Sequence, residues 1–140
     1  MKMTNAQIIN TLNAINGFTE RKLPQKISYA ISKNHLALEN EYKFYQESLT
    51  KLIRSYEEYF VKGEDGEIKF MQNGIPEIES PHDTEFTEEL AELLSMEADV
   101  NLYKISEEVF DYDDSKFDPL SPSEIEVLIL LLCEEEKEEN

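Results

Sequence analysis

"QKISYAISKNHLALENEYKFYQESLTKLIRSYEEYFVK", residues 25–62, is the stretch that decides the fold. Along it Ile27, Ile31, Asn34, Leu38, Tyr42, Tyr45, Leu49, Leu52, Tyr56 and Tyr59 follow one another at steps of three or four residues. That spacing is close to a heptad stripe, and neither Gly nor Pro interrupts it. At 1.5 Å of rise per residue, a helix of this length runs roughly 50 Å. One short neighbouring helix cannot cover such a stripe. Either later helices of the same chain pack along it, or a second copy does, as a homodimer through Tyr42, Tyr45, Leu49, Leu52 and Tyr56.

Working back from this helix, Pro24 is pre-set for its first turn. Further upstream, Thr4 and Gln7 read as a capping box, with Ile8, Ile9, Leu12 and Ile15 following at helical spacing and Gly17 placed as a helix stop. Residues 1–62 therefore read as a helical hairpin.

Working forward, Asn73-Gly74 lies between Ile68/Phe70 and Ile75/Ile78, a hairpin signal, with Pro76 restricting the second strand to an edge. Phe86, Leu90, Leu93 and Leu94 predict a helix capped by Asp83 or Thr84. "EADVNLYKI", residues 97–105, alternates as a strand does. The acidic and aromatic segment that follows reads as an irregular connection. Ser121, Pro122 and Glu124 then supply a helix cap, a first-position proline and a capping-box partner. Ile125, Val127, Leu128, Ile129, Leu130, Leu131 and Leu132 are apolar nearly all round, which predicts a helix buried within the fold or a dimer interface, the alternative being that one face docks a partner; within the fold it closes the core against the middle of the long helix. On this reading Leu130→Asp unfolds the protein. No internal repeat is evident.

The 140 residues thus read as a single domain, mainly α with a small β element (α+β): the hairpin over 1–62, an acidic α/β portion over 63–133 and an acidic tail over 134–140.

Charge divides the chain sharply. Residues 1–62 hold nine Lys or Arg against six Glu, leaving +3, whereas residues 63–140 hold four Lys against 25 Asp or Glu, leaving -21. The sum of -18 disfavours direct binding to nucleic acid or anionic membrane. Mean hydropathy of -0.54, one cysteine and the lack of a long apolar run lead us to expect a cytoplasmic protein without a signal segment or membrane span.

Residues that carry chemistry are few. His35 and His82 stand apart, without Cys or His companions at zinc-ligand spacing, and read as packing or surface residues. Asp111, Asp113, Asp114 and Asp118 invite a calcium reading, but Lys116 and Pro122 occupy the places an EF-hand loop gives to Gly and Glu. Cys133 is followed by glutamates that disfavour a thiolate. No nucleophile elbow or phosphate-binding glycine loop is present, so neither enzymatic activity nor a cofactor is expected.

The opening "MTNAQIINTLNAINGFTERKLPQKISYAISKNHLALENEYKFYQESLTKL", with the later blocks "FTEELAELLSMEADVNLYKI" and "LSPSEIEVLILLL", resembles a small family of unassigned function encoded by phages and prophages of Gram-positive bacteria. The likeness covers most of the chain and implies an intracellular setting in an infected host. It carries over no catalytic residue.

Charge and resemblance together predict a non-enzymatic inhibitor of a host nucleic-acid-handling or defence protein, of the anti-CRISPR or anti-restriction kind. Its carboxylates would meet a basic surface where the target expects phosphates. The candidate contact residues are Glu85, Glu88, Glu89 and Glu92 on one helix and Asp111, Asp113, Asp114 and Asp118 in the following connection. The alternative is a phage assembly or scaffold component that oligomerises through the long helix.

Overall fold

The computed structural model describes residues 1–133; the acidic tail read over 134–140 lies outside the described residues. The chain runs β1 (Lys2–Thr4), α1 (Asn5–Asn16), α2 (Gln25–Ser55), a 3-10 turn (Glu57–Tyr59), α3 (His82–Ser95), β2 (Glu97–Asp99), a second 3-10 turn (Glu107–Phe110) and α4 (Pro122–Leu132). It is mainly helical with one small antiparallel sheet, as the periodicities predict. No described helix is long and apolar enough to cross a membrane.

The heptad stripe forms α2, which ends at Ser55 rather than Lys62, so Tyr59 falls in the 3-10 turn. Its two halves serve different cores. Ile27, Ala30, Ile31 and Leu38 pack with Ile8, Leu12 and Ile15 of α1 and with Leu128 and Leu132 of α4. Tyr56, just past the helix end, packs with Ile78 and with Phe86 of α3, bordered by Leu52 and Leu90. The long helix is therefore partnered within the chain, by α1 along its first half, where Leu128 and Leu132 of α4 join the same core, and by α3 towards its end.

Both capping boxes form as read. The Thr4 side chain accepts from the Gln7 amide, and Ser121 accepts from Glu124, with the glutamine and glutamate side chains returning the bond. The α3 cap differs: the helix begins at His82 after Pro81, and neither Asp83 nor Thr84 caps it.

The β element forms partly where the pattern places it, with an unforeseen partner. Only Glu97–Asp99 of the alternating segment is a strand, and it pairs antiparallel with Lys2–Thr4, in the register Lys2 with Asp99 and Thr4 with Glu97. The expected hairpin is present, its Asn73-Gly74 turn joining two extended pieces bridged antiparallel at Phe70 and Pro76, and a third piece, bridged Phe60 to Ile78 and Lys62 to Ile68, closes it into a ring. The Lys69 amide donates to the Val61 carbonyl, Glu77 to Lys69 and Val61 back to Glu77, so three residues eight apart close a hydrogen-bond triangle.

The ring also corrects the reading that the chain holds no repeat. Gly63 and Glu67 share a bond that Met71 and Ile75 repeat eight residues later. Gly66 to Gly63 is matched by Gly74 to Met71, and the Asp65 carboxylate on the Glu67 amide by the Asn73 side chain on the Ile75 amide. Gly66 and Gly74 both take positive φ, 80° and 82°, which closes each turn.

The reading of α4 as buried on all sides is overturned. Leu128 and Leu132 are fully buried, but Val127 is 38% and Leu130 77% exposed. An eleven-residue helix on the rim of the core meets it on one side only. Its end is held by the Ile105 amide donating to the Leu132 carbonyl at 2.8 Å.

Candidate functional site

Helix α3 owes its placement to Phe86 and Leu93, which are buried, and to Leu90, which borders the same core. The Phe86 ring meets Tyr56 edge to face at 5.4 Å, and Asn5 anchors the far end by donating from Nδ2 to the Leu93 carbonyl at 2.8 Å. With that face fixed, residues three, four and seven apart on the other side turn outward. Glu85, Glu88 and Glu92 occupy that side, and Glu89 lies on its flank; all four are exposed.

Like charges at these spacings repel one another along a helix. Among the described residues, the only ion pair on this face is Glu85 with His82, at 3.9 Å, and no Lys or Arg pairs with any of the four. The His82 ring stacks on Tyr59 at 3.6 Å. Burial pushes the Tyr56 hydroxyl pKa up, and the neighbouring Glu89, Glu85 and Glu88 carboxylates push the same way.

The core that holds α3 also holds the three-bridged ring, so the acidic lobe extends beyond α3. Glu57, Glu58, Glu64, Asp65, Glu67, Glu77 and Glu79 are exposed on the same lobe. Over residues 57–95, two Lys stand against twelve Asp or Glu, leaving -10. These ring acids went unnamed because their neighbourhood with α3 arises from the contact of Ile78 with Phe86, which no local pattern encodes.

The second predicted group sits apart and differs in kind. Asp118 accepts from the Lys22 amide at 2.8 Å and pairs with Arg21 at 3.7 Å, while its own amide donates to the Lys22 carbonyl at 2.7 Å. The Tyr112 hydroxyl donates to the Asp118 carbonyl at 2.6 Å. Asp118 therefore locks its loop onto the turn before α2 and is not free for a partner. Asp114 accepts from the Lys116 amide, leaving Asp111 and Asp113 as the exposed remainder. The loop is tied to the turn before α2, whereas α3 packs against Tyr56 just past the other end of that helix. The structure does not bring the two predicted groups together.

Tyr45 and Tyr56 of the predicted dimer stripe are buried, and Tyr42, Leu49 and Leu52 are half-buried. Tyr42 stacks on Tyr45, with ring centroids 5.9 Å apart. A dimer through these five residues finds no free face at Tyr45 and Tyr56.

Other reactive groups are engaged in structure. His35 faces Asn16 Oδ1 at 2.8 Å and Glu39 at 3.6 Å. Cys133 is buried, and burial raises its thiol pKa, with Glu107 adding to the rise and Lys104 opposing it. Among the described residues no group of three or more His, Cys, Asp or Glu could hold a metal ion. Comparison of the chain with known protein families, with curated proteins and with solved structures finds no match.

Proposed function

We propose that this chain is a non-catalytic interaction protein whose α3 lobe docks on a basic protein surface. In the setting the resemblance implies, the target is a nucleic-acid-handling or defence protein of a phage-infected bacterial cell, and docking blocks the groove that receives phosphates. An anti-CRISPR or anti-restriction inhibitor is the narrower form of the same proposal.

One observation carries the reading. Glu85, Glu88 and Glu92 are held outward with Glu89 on their flank, all four exposed and without a Lys or Arg partner among the described residues, on a lobe of net charge -10. Four carboxylates at helical spacing cost stability through mutual repulsion, and a cationic partner turns that cost into steered, complementary association. Asp111 and Asp113 stand too far away to share the contact and belong at most to its periphery.

The test is a tagged pull-down from the host during infection, washed at low and then moderate salt. Recovery of a DNA- or RNA-binding protein that is released as salt rises supports inhibition by charge. Recovery of virion or assembly proteins that resist the same wash contradicts it and returns the scaffold reading.

A further inference from the structure

The same helix that organises the fold turns a second, opposite face to solvent. Lys43, Lys51 and Arg54 lie on the side of α2 away from Leu38, Tyr45 and Tyr56, and all three are exposed. Gln46, Glu47 and Thr50 lie between them on this open helix face. Glu47 is the one acid among these six, and no ion pair engages Lys43, Lys51 or Arg54 among the described residues. Two large apolar side chains stand on the same side, Leu36 at 59% and Phe44 at 66% exposed. Exposed apolar side chains beside unpaired cations make this face a candidate contact surface for an acidic partner.

From this we infer that the outer face of α2 receives the acidic α3 face of a second copy of the chain. The charge complement is present in the molecule itself: three unpaired cations on α2 and the outward glutamates of α3. The arrangement also sets the symmetry. Helix α3 lies against α2 through Phe86 and Tyr56, so Glu88 and Glu92 turn to the side of α3 away from α2 while Glu89 stays beside Tyr56, and the cations lie on the side of α2 away from Tyr56. Donor and acceptor faces are thus on opposite sides of one molecule. Such a contact is head-to-tail and propagates into short chains rather than closing as a two-fold dimer. This goes beyond the inhibitor reading, and a basic target bound on α3 would compete with the next copy.

Electrostatics gives the association an unusual salt profile. Whole-molecule repulsion between two highly acidic chains acts over long range, at a Debye length of about 30 Å in ~0.01 M salt. In ~0.1 M salt the length falls to about 10 Å, which screens the distant charges but leaves the contacting ones. In ~1 M salt, at about 3 Å, the contacts are screened too. Association is therefore strongest at intermediate salt and lost at both extremes.

Sedimentation velocity on the purified full chain, over a concentration series at these three salts, tests this. The expected result is a mass that rises above 16.3 kDa with concentration at intermediate salt and returns to it at both extremes. Two charge reversals sharpen the test: Lys43→Glu/Lys51→Glu/Arg54→Glu on α2 and Glu85→Lys/Glu88→Lys/Glu92→Lys on α3. All six positions are exposed, and retained circular dichroism checks folding. Each variant alone should stay monomeric, and an equimolar mixture should associate again, because each supplies the face the other lacks. A wild-type chain that is monomeric at every salt, or association that survives either reversal, overturns the inference. So does a monomeric chain whose α2 face binds heparin as a probe polyanion, since the stripe then serves an acidic ligand other than a second copy.

Discussion

Asn34 and Tyr103, 69 residues apart, are joined by two hydrogen bonds: Asn34 Nδ2 donates to the Tyr103 carbonyl at 2.9 Å, and the Tyr103 amide donates to Asn34 Oδ1 at 2.6 Å. Asn34 is 1% exposed and is the one polar residue among the fully buried side chains described. It stands within the heptad stripe where an apolar residue would be expected, and it does what a neighbouring strand would do. A side-chain amide offers both a donor and an acceptor, so it satisfies the extended segment after β2 and fixes that segment against α2.

Replacing Asn34 by Leu keeps the branched outline, with bulkier methyl ends, and leaves both backbone groups of Tyr103 unsatisfied. The expected loss is about 2 kcal/mol or more, read as a lower urea midpoint. Unchanged stability would mean that the segment finds other partners.

The two leucines Leu128 and Leu130 separate the sides of α4. Leu128→Ala removes a fully buried side chain and should cost about 2–5 kcal/mol. Leu130→Asp alters a side chain already in water and should change stability by no more than about 0.5 kcal/mol. Thermal melts of the two variants decide between this orientation and a helix buried on all sides.

In the three-bridged ring, Gly74→Ala should destabilise by about 1–2 kcal/mol, because its φ of 82° is costly for a residue with a Cβ although no atom lies within 4 Å of the added carbon. Gly74→Asn should cost less, since Asn visits this conformation more readily. Similar losses for both would point to contact rather than backbone conformation.

Arg21 and Glu124 meet at 2.6 Å and join the turn before α2 to the first turn of α4. The Arg21 hydrogen bond, then the Ser121 backbone, hold the Glu124 carboxyl below its ordinary value of 4.5. A depressed folded pKa means stability that is fully present above the unfolded value and lost as pH falls through the folded one. Glu124→Gln should therefore remove stability at neutral pH and flatten that part of the acid limb. Parallel wild-type and variant curves of stability against pH would contradict the assignment.

The parts of this fold that were legible in the chain are those encoded locally. The α2 stripe declares itself through period, and both capping boxes through residues three apart. The α3 glutamates were legible for the same reason, since Phe86, Leu90 and Leu93 place them on the outer side. What was hidden depends on distant partners. Strand β1 is three residues that merge with the cap of α1, and only β2 makes it a strand. The eight-residue repeat rests on Asp65-Gly66 and Asn73-Gly74 and on backbone bonds, while the intervening side chains differ. Asp118 has the same composition cue as Asp113, yet the turn at Arg21-Lys22 claims it. In α4, Leu128 and Leu130 are the same residue, and only the placement of the helix on the core's rim distinguishes them.

The central claim is that the outward glutamates of α3 form the working surface. The most direct measurement is side-by-side capture from infected host cells by the tagged wild-type chain and by Glu85→Gln/Glu88→Gln/Glu89→Gln/Glu92→Gln. The account predicts that a nucleic-acid-handling protein comes down with the wild type and leaves as salt rises. The variant, checked for folding by its melt because it also loses the Glu85 contact with His82, should capture it about tenfold less, the equivalent of about 1.4 kcal/mol. Equal capture of the same protein by both chains would contradict the claim.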